Sequence, residues 1–201
     1  EYINKEKSMF LNRLDVPCIK TQIKKNHVLI VVRGKNYKKD LFAIKSYIKE
    51  KKPILIGVDG GSDALMEFGH KPNIIIGDMD SVSDKCLMSG AEIIVHGYTN
   101  GLAPGIERIK GLGLDYKVFA APGTSEDIAM LVAFEKGADL IVAVGTHTNM
   151  IDFLEKGRNG MASTCLARMK VGSILVDAKG VSKLYSSNLK TGYIIAIILS
   201  S

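Results

Sequence analysis

Two acidic clusters sit where apolar runs stop. The run Ile54–Val58 ends at Asp59-Gly60-Gly61, and the run Ile74–Ile76 ends at Gly77-Asp78-Met79-Asp80-Ser81. A carboxylate beside a hydrophobic interior needs compensation. Asp78 and Asp80 are two positions apart, so in an extended chain both side chains share one face. Converging carboxylates repel unless a cation sits between them, and Mg²⁺ commonly bridges one or two carboxylates to substrate phosphates. Asp59, Asp78 and Asp80 are therefore the candidate metal ligands. The alternative for Asp78 and Asp80 is a pair of turn-forming or capping aspartates, since Gly-Asp and Asp-Ser are ordinary turn chemistry; Asp59 at a neighbouring strand end favours the metal reading.

Other segments could serve the same cleft. Gly60 and Gly61 open a helix near Ser62, where a ligand can approach the backbone and a helix N-terminus favours anions. Arg33-Gly34 ends the first strand, where a guanidinium would hold phosphate or simply sit in a turn. In "APGTSEDIAM", Thr124 or Ser125 can cap a helix whose first turn holds Glu126 and Asp127. For Asp127, capping and ligand roles both stay open. "VGTHTNMID" follows the last strand of the series, so His147, Asn149 and Asp152 are expected to face the same cleft; a lone His is more often structural than catalytic.

The elements that must position these residues alternate. Strands are expected at 28–32, 54–58, 74–76, 92–95, 117–120 and 140–144. Helices are expected at 39–51, 62–68, 83–89, 104–110, 125–136 and, further on, 160–169, before an apolar run at 174–176. Strands apolar on both faces and separated by helices predict a doubly wound α/β fold with a mainly parallel sheet. Open sheets of this kind keep ligands at the carboxyl ends of their strands. The organisation expected is a linker or arm over 1–26, an α/β domain over 27–155, a short C-terminal α/β extension over 156–191, and a terminal apolar segment over 192–201. That last segment, "GYIIAIILSS", reads as a buried strand or as the start of a membrane helix. Its seven apolar residues, Tyr193 to Leu199, are too few to span a bilayer, which needs roughly 20.

At 201 residues and 46% hydrophobic content, the chain can bury a core of its own. Cys18, Cys86 and Cys165 are scattered and odd in number, which argues against a disulfide framework and for a reducing compartment. Residues 1–52 carry 14 Lys/Arg against 5 Asp/Glu, while residues 53–201 carry 13 against 16. That asymmetry fits an anionic partner or a solvated lysine-rich helix. Nucleic acid is not the expected partner.

Taken together, Asp59-Gly60-Gly61, Gly77-Asp78-Met79-Asp80-Ser81 and Glu126-Asp127 resemble the motifs of thiamin pyrophosphokinase over about residues 28–155. The resemblance implies a catalytic-domain fold of that type. It also implies ATP and Mg²⁺ as cofactors and transfer of a diphosphate to a small alcohol, with Asp59, Asp78, Asp80 and Asp127 as catalytic residues. Arg33, Gly60, Gly61, Ser81, Thr124, His147 and Asn149 would then line the nucleotide site. The chain departs from that family after Asp127, where Ile128-Ala129-Met130 replace an aromatic, a Glu and a Lys. It departs again at Gly145-Thr146-His147-Thr148-Asn149, which lacks the family's Arg. Missing cations remove stabilisation of a transferring phosphate, and residues 156–201 leave no obvious room for the family's thiamin-binding β-sandwich.

A fuller resemblance, running from "VLIVVRG" through "VAVGTHTNMIDFLEKGRNGMAST" to "DAKGVSKLY", is to bacterial cytokinetic ring proteins of the SteA type. It implies a thiamin pyrophosphokinase-like middle domain, a C-terminal membrane anchor on the cytoplasmic side, and division or envelope proteins as partners. A homodimer stays open. Two functions follow: a nucleotide-binding domain of a membrane-anchored division protein, or an active ATP-dependent diphosphotransferase.

Overall fold

Strands that are apolar on both faces need cover on both faces, and the chain supplies it by alternation. The computed structural model describes residues 13–98, 101–146, 161–179 and 181. Its elements are β1 (His27–Val32), α1 (Tyr37–Ala43), α2 (Lys45–Lys51), β2 (Ile54–Val58), α3 (Gly61–Glu67), β3 (Ile74–Gly77) and α4 (Asp84–Leu87). They continue as β4 (Glu92–Gly97), α5 (Gly105–Gly111), β5 (Lys117–Ala120), α6 (Ser125–Glu135), β6 (Leu140–Val144), α7 (Met161–Val171) and β7 (Leu175–Asp177).

Among the described residues the seven strands form one sheet in the order β5-β4-β3-β2-β1-β6-β7. All six pairings are parallel. The fold is α/β and doubly wound. Period-two alternation divides the core: Val28, Ile30, Ile56 and Ile76 pack with Ile128 and Val132 of α6, while Leu29, Val31 and Leu55 pack with Leu41, Ile48 and Leu65. A third cluster joins Ile75, Ile93 and Val95 to Met79, Leu87 and Ile109.

Three details refine the sequence expectation. The helix expected over 39–51 is two helices meeting at Ile44, and the break brings Leu41, Ile44 and Ile48 together under the sheet. The N-terminal arm is docked over its described part. Ile23 is buried, Leu14, Val16 and Ile19 pack on the core, and the Lys20 and Thr21 amides donate to Glu92. The C-terminal extension is continuous with the domain, because β7 pairs with β6 and α7 lies on α6. The terminal apolar run, 193–199, lies outside the described residues; among those described, no helix is long and apolar enough to cross a membrane.

Candidate functional site

Asp59 follows β2 and Asp78 follows β3, so parallel pairing delivers both to the same edge of the sheet. The Asp59 amide donates to the Ile76 carbonyl at 2.9 Å, and its Oδ1 accepts from the Met79 amide at 3.2 Å. The Asp59 and Asp78 carboxyl groups lie close enough to act on each other. Burial, and then the Asp78 charge, push Asp59 up to about 7; the Met79 amide and the Ser125 hydroxyl act in the opposite direction. Gly77 makes this contact feasible. Its φ is 154°, and a Cβ there would lie 1.7 Å from Asp59 Oδ1. Asp59 (φ 46°) and Met79 (φ 69°) both occupy the left-handed region. That is uncommon for residues other than glycine and clusters at functional sites.

Asp80 calls for a correction to the same-face argument. The chain turns at Met79 instead of continuing extended, and the Asp80 amide donates to Asp78 Oδ1 at 3.1 Å. Period two does not apply across such a turn. The turn chemistry of Gly-Asp and Asp-Ser is real, and it coexists with the Asp59–Asp78 pair.

The acidic loop is braced by α5 and by the turn at Gly60. Arg108 of α5 donates to the carbonyls of Met79 and Val82 and to the Asp84 carboxylate, the last two at 2.7 and 2.6 Å. Gly105 packs so closely that a Cβ would lie 2.4 Å from the Asp78 carbonyl oxygen. The Ser81 hydroxyl accepts from the Gly60 amide at 3.0 Å, tying the two motifs together. That amide is thus already engaged. Gly61 answers to packing, since a Cβ there would lie 2.0 Å from the Val31 carbonyl oxygen.

Arg33 stands close to Gly60 but is paired with Glu67 of α3, beside the Tyr37 ring. Asp127 is buried and forms a capping box with Thr124. Its Oδ2 accepts from the Thr124 amide, the Thr124 hydroxyl and the Thr164 hydroxyl at 2.8, 2.9 and 2.6 Å. The capping role is therefore present. Oδ1 has no hydrogen-bond partner among the described residues, and burial raises the group's pKa above the usual carboxylate range. His147, Asn149 and Asp152 lie outside the described residues.

Sequence reasoning passed over two residues here. His96, at the end of β4, is buried; its Nδ1 lies 3.3 Å from Ser125 Oγ and its Nε2 3.2 Å from the Ala121 carbonyl oxygen. Burial lowers its pKa, so the neutral imidazole is favoured, against the pull of Asp78 and Asp127. Ser125, considered only as a cap, has its hydroxyl between His96 and Asp59. The strand-end rule that exposed Asp59 and Asp78 also points at His96, which lies in the next strand of the series.

Among the described residues no three His, Cys, Asp or Glu side chains are grouped to hold a metal ion. Two carboxylates in contact still fit Mg²⁺, which takes one or two protein carboxylates and completes its shell with water and phosphate oxygens.

No family model matches the chain, and no curated protein matches it. Among solved structures, thiamine pyrophosphokinase from Bacillus subtilis is similar at a TM-score of 0.43 and 23% identity, over 75% of this chain and 60% of its own. A protein from Lactobacillus plantarum is similar at a TM-score of 0.36 and 18% identity, over 66% of this chain and 52% of its own. The chain thus spans 60% or less of the length of these two structures. Thiamine pyrophosphokinase-like folds are among its structural neighbours; the fold class itself stands on the sheet described above. Neither likeness bears on the cytokinetic ring resemblance.

Proposed function

We propose that this chain is a nucleotide-binding domain that takes its ligand with Mg²⁺ at the carboxyl edge of the sheet. The observation that carries the reading is the contact between Asp59 and Asp78, with Asp59 held at about 7. Like charges pressed together at a strand end are relieved by a cation, and a cation so placed supplies positive charge for phosphate oxygens. Asp59 and Asp78 would hold it, with Asp80 in the same loop. A thermal-shift series of nucleotides with and without Mg²⁺, on wild type and Asp78→Asn, tests this. At ligand near 100 times Kd, binding adds about 2.7 kcal/mol, or roughly 5–10 °C for a chain of this size. Wild type should show that shift only with Mg²⁺, and Asp78→Asn should not; no Mg²⁺-dependent shift with any nucleotide overturns the reading.

The finer reading places this domain in a membrane-anchored, division-associated bacterial protein. It is supported by the motif resemblance, by the apolar run 193–199 and by the basic balance of residues 1–52. Basic segments are drawn to anionic lipid at about 1 kcal/mol per charge near the surface. Fractionation of the full-length protein with and without everything after Lys190 tests it: a freely soluble intact protein, or a truncated one that stays with membrane, ends the anchor reading. The second reading, an active diphosphotransferase, is favoured by the retained carboxylates. Thiamin is disfavoured as its acceptor because the Lys after Asp127 and the Arg after Gly145 are missing.

A further inference from the structure

The candidate site holds a hydroxyl with the surroundings of a nucleophile. Ser125 is the first residue of the 11-residue helix α6, directly after the Thr124 cap. Its Oγ lies 3.3 Å from His96 Nδ1, and the opposite ring nitrogen, Nε2, lies 3.2 Å from the Ala121 carbonyl oxygen. A carbonyl can only accept, so that contact puts the ring proton on Nε2 and leaves the Nδ1 lone pair facing the serine. Nucleophile, base and a third group that orients the base are the recurring parts of an activated hydroxyl. A separation of 3.3 Å is of the kind that tightens when substrate binds.

We propose that Ser125 is a phosphoryl acceptor, with His96 as its base and a nucleoside triphosphate as donor. This rests on the nucleotide-binding reading above. Oγ attacks the terminal phosphorus; the Oγ–P bond forms and the bond from that phosphorus to the β-phosphate oxygen breaks. The nucleoside diphosphate leaves with the bonding electron pair, and the serine proton passes to His96 Nδ1. Asp127 lies close enough to favour the imidazolium that results. The serine also borders Asp59, one of the two carboxylates proposed to hold the cation that takes the phosphates. The phosphoserine then either persists as a modification or passes its phosphoryl group to water.

The test is incubation of the full chain with Mg²⁺ and ATP labelled in its terminal phosphate, followed by peptide mapping. Nucleotide thermal shifts are measured on the same samples. Label is expected on Ser125 in wild type and is expected to vanish in Ser125→Ala. In His96→Gln it should appear about 10²- to 10⁴-fold more slowly, the usual contribution of a positioned base. Both variants should unfold cooperatively without nucleotide, which shows that they fold. A shift in wild type without label on Ser125 overturns the proposal and leaves nucleotide binding standing. Labelling that survives Ser125→Ala also overturns it. Absence of both shift and label removes the binding reading and this one together.

Discussion

Two neighbouring stretches of the sheet's carboxyl edge are built in opposite ways. At β1 and β6 the backbone closes on itself: a Cβ on Gly34 would lie 1.9 Å from the Gly145 carbonyl oxygen, and Arg33 is neutralised by Glu67. At β2 and β3 the edge is strained and underpaired. Two carboxyl groups crowd each other, two non-glycine residues take positive φ, and among the described residues no Lys or Arg forms an ion pair with Asp59 or Asp78. The strand order reverses between β1 and β6, where a ligand crevice is the rule for open sheets. Here the unbalanced charge lies one and two strands away. Topology marks out the candidate edge, and electrostatics marks the candidate site along it.

Breaking the closed stretch should have the largest effect. Gly34→Ala sets a methyl against a backbone carbonyl, which no rotamer change relieves, and is expected to cost more than about 3 kcal/mol in urea unfolding. A loss below about 1 kcal/mol would mean that the two strand ends part easily and that the closed stretch is a hinge.

The strained stretch can be examined through pH. Folded, Asp59 keeps its proton up to about 7; unfolded, it releases it near 3.8. The folded state therefore binds more protons between those values, and stability falls as pH rises through that window. The expected loss is on the order of 2–4 kcal/mol. Asp59→Asn should flatten the slope, leaving the variant more stable than wild type at about pH 8 and little changed at about pH 4. Mg²⁺ added to wild type at the higher pH should recover stability. An unchanged pH profile in Asp59→Asn would show that the two carboxyls do not repel as described.

Asp127 offers the contrasting case of a buried acid whose Oδ2 is well supplied with donors. Thr164→Val removes one of them and should cost about 1–3 kcal/mol, whereas Thr164→Ser should retain most of the stability. Equal losses in both would trace the effect to packing of α7 and not to the hydrogen bond. The smallest change expected is Arg33→Ala. The Arg33 and Glu67 side chains are 44% and 42% exposed, and such pairs are worth about 0–1 kcal/mol. If Arg33 leaves Glu67 for a phosphate, this variant should lose nucleotide affinity while its unfolding curve barely moves.

Much of the architecture was legible because strand and helix periods are local. The runs at 54–58, 117–120 and 140–144 coincide with β2, β5 and β6, and Thr124 caps α6. Alternation implied parallel pairing, and parallel pairing alone carries Asp59 and Asp78 to one edge. The site's inner contacts were not legible, because each joins residues far apart in the chain. His96 meets Ser125 across 29 positions, Asp127 meets Thr164 across 37, and Arg33 meets Glu67 across 34. The same-face argument for Asp78 and Asp80 failed for a related reason: the Met79 backbone conformation belongs to a loop held by Arg108 from another helix.

The sequence by itself determined the order of elements, the two-sided hydrophobic strands and the acids at their ends, since these follow from residue type and spacing within a few positions. Only the tertiary structure decided that Asp59 presses on Asp78, that Arg33 is bound to Glu67, and that a histidine and a serine complete the acidic corner. Those outcomes depend on sheet order and helix docking, which set distances between residues whose separation in the chain says nothing about their separation in space.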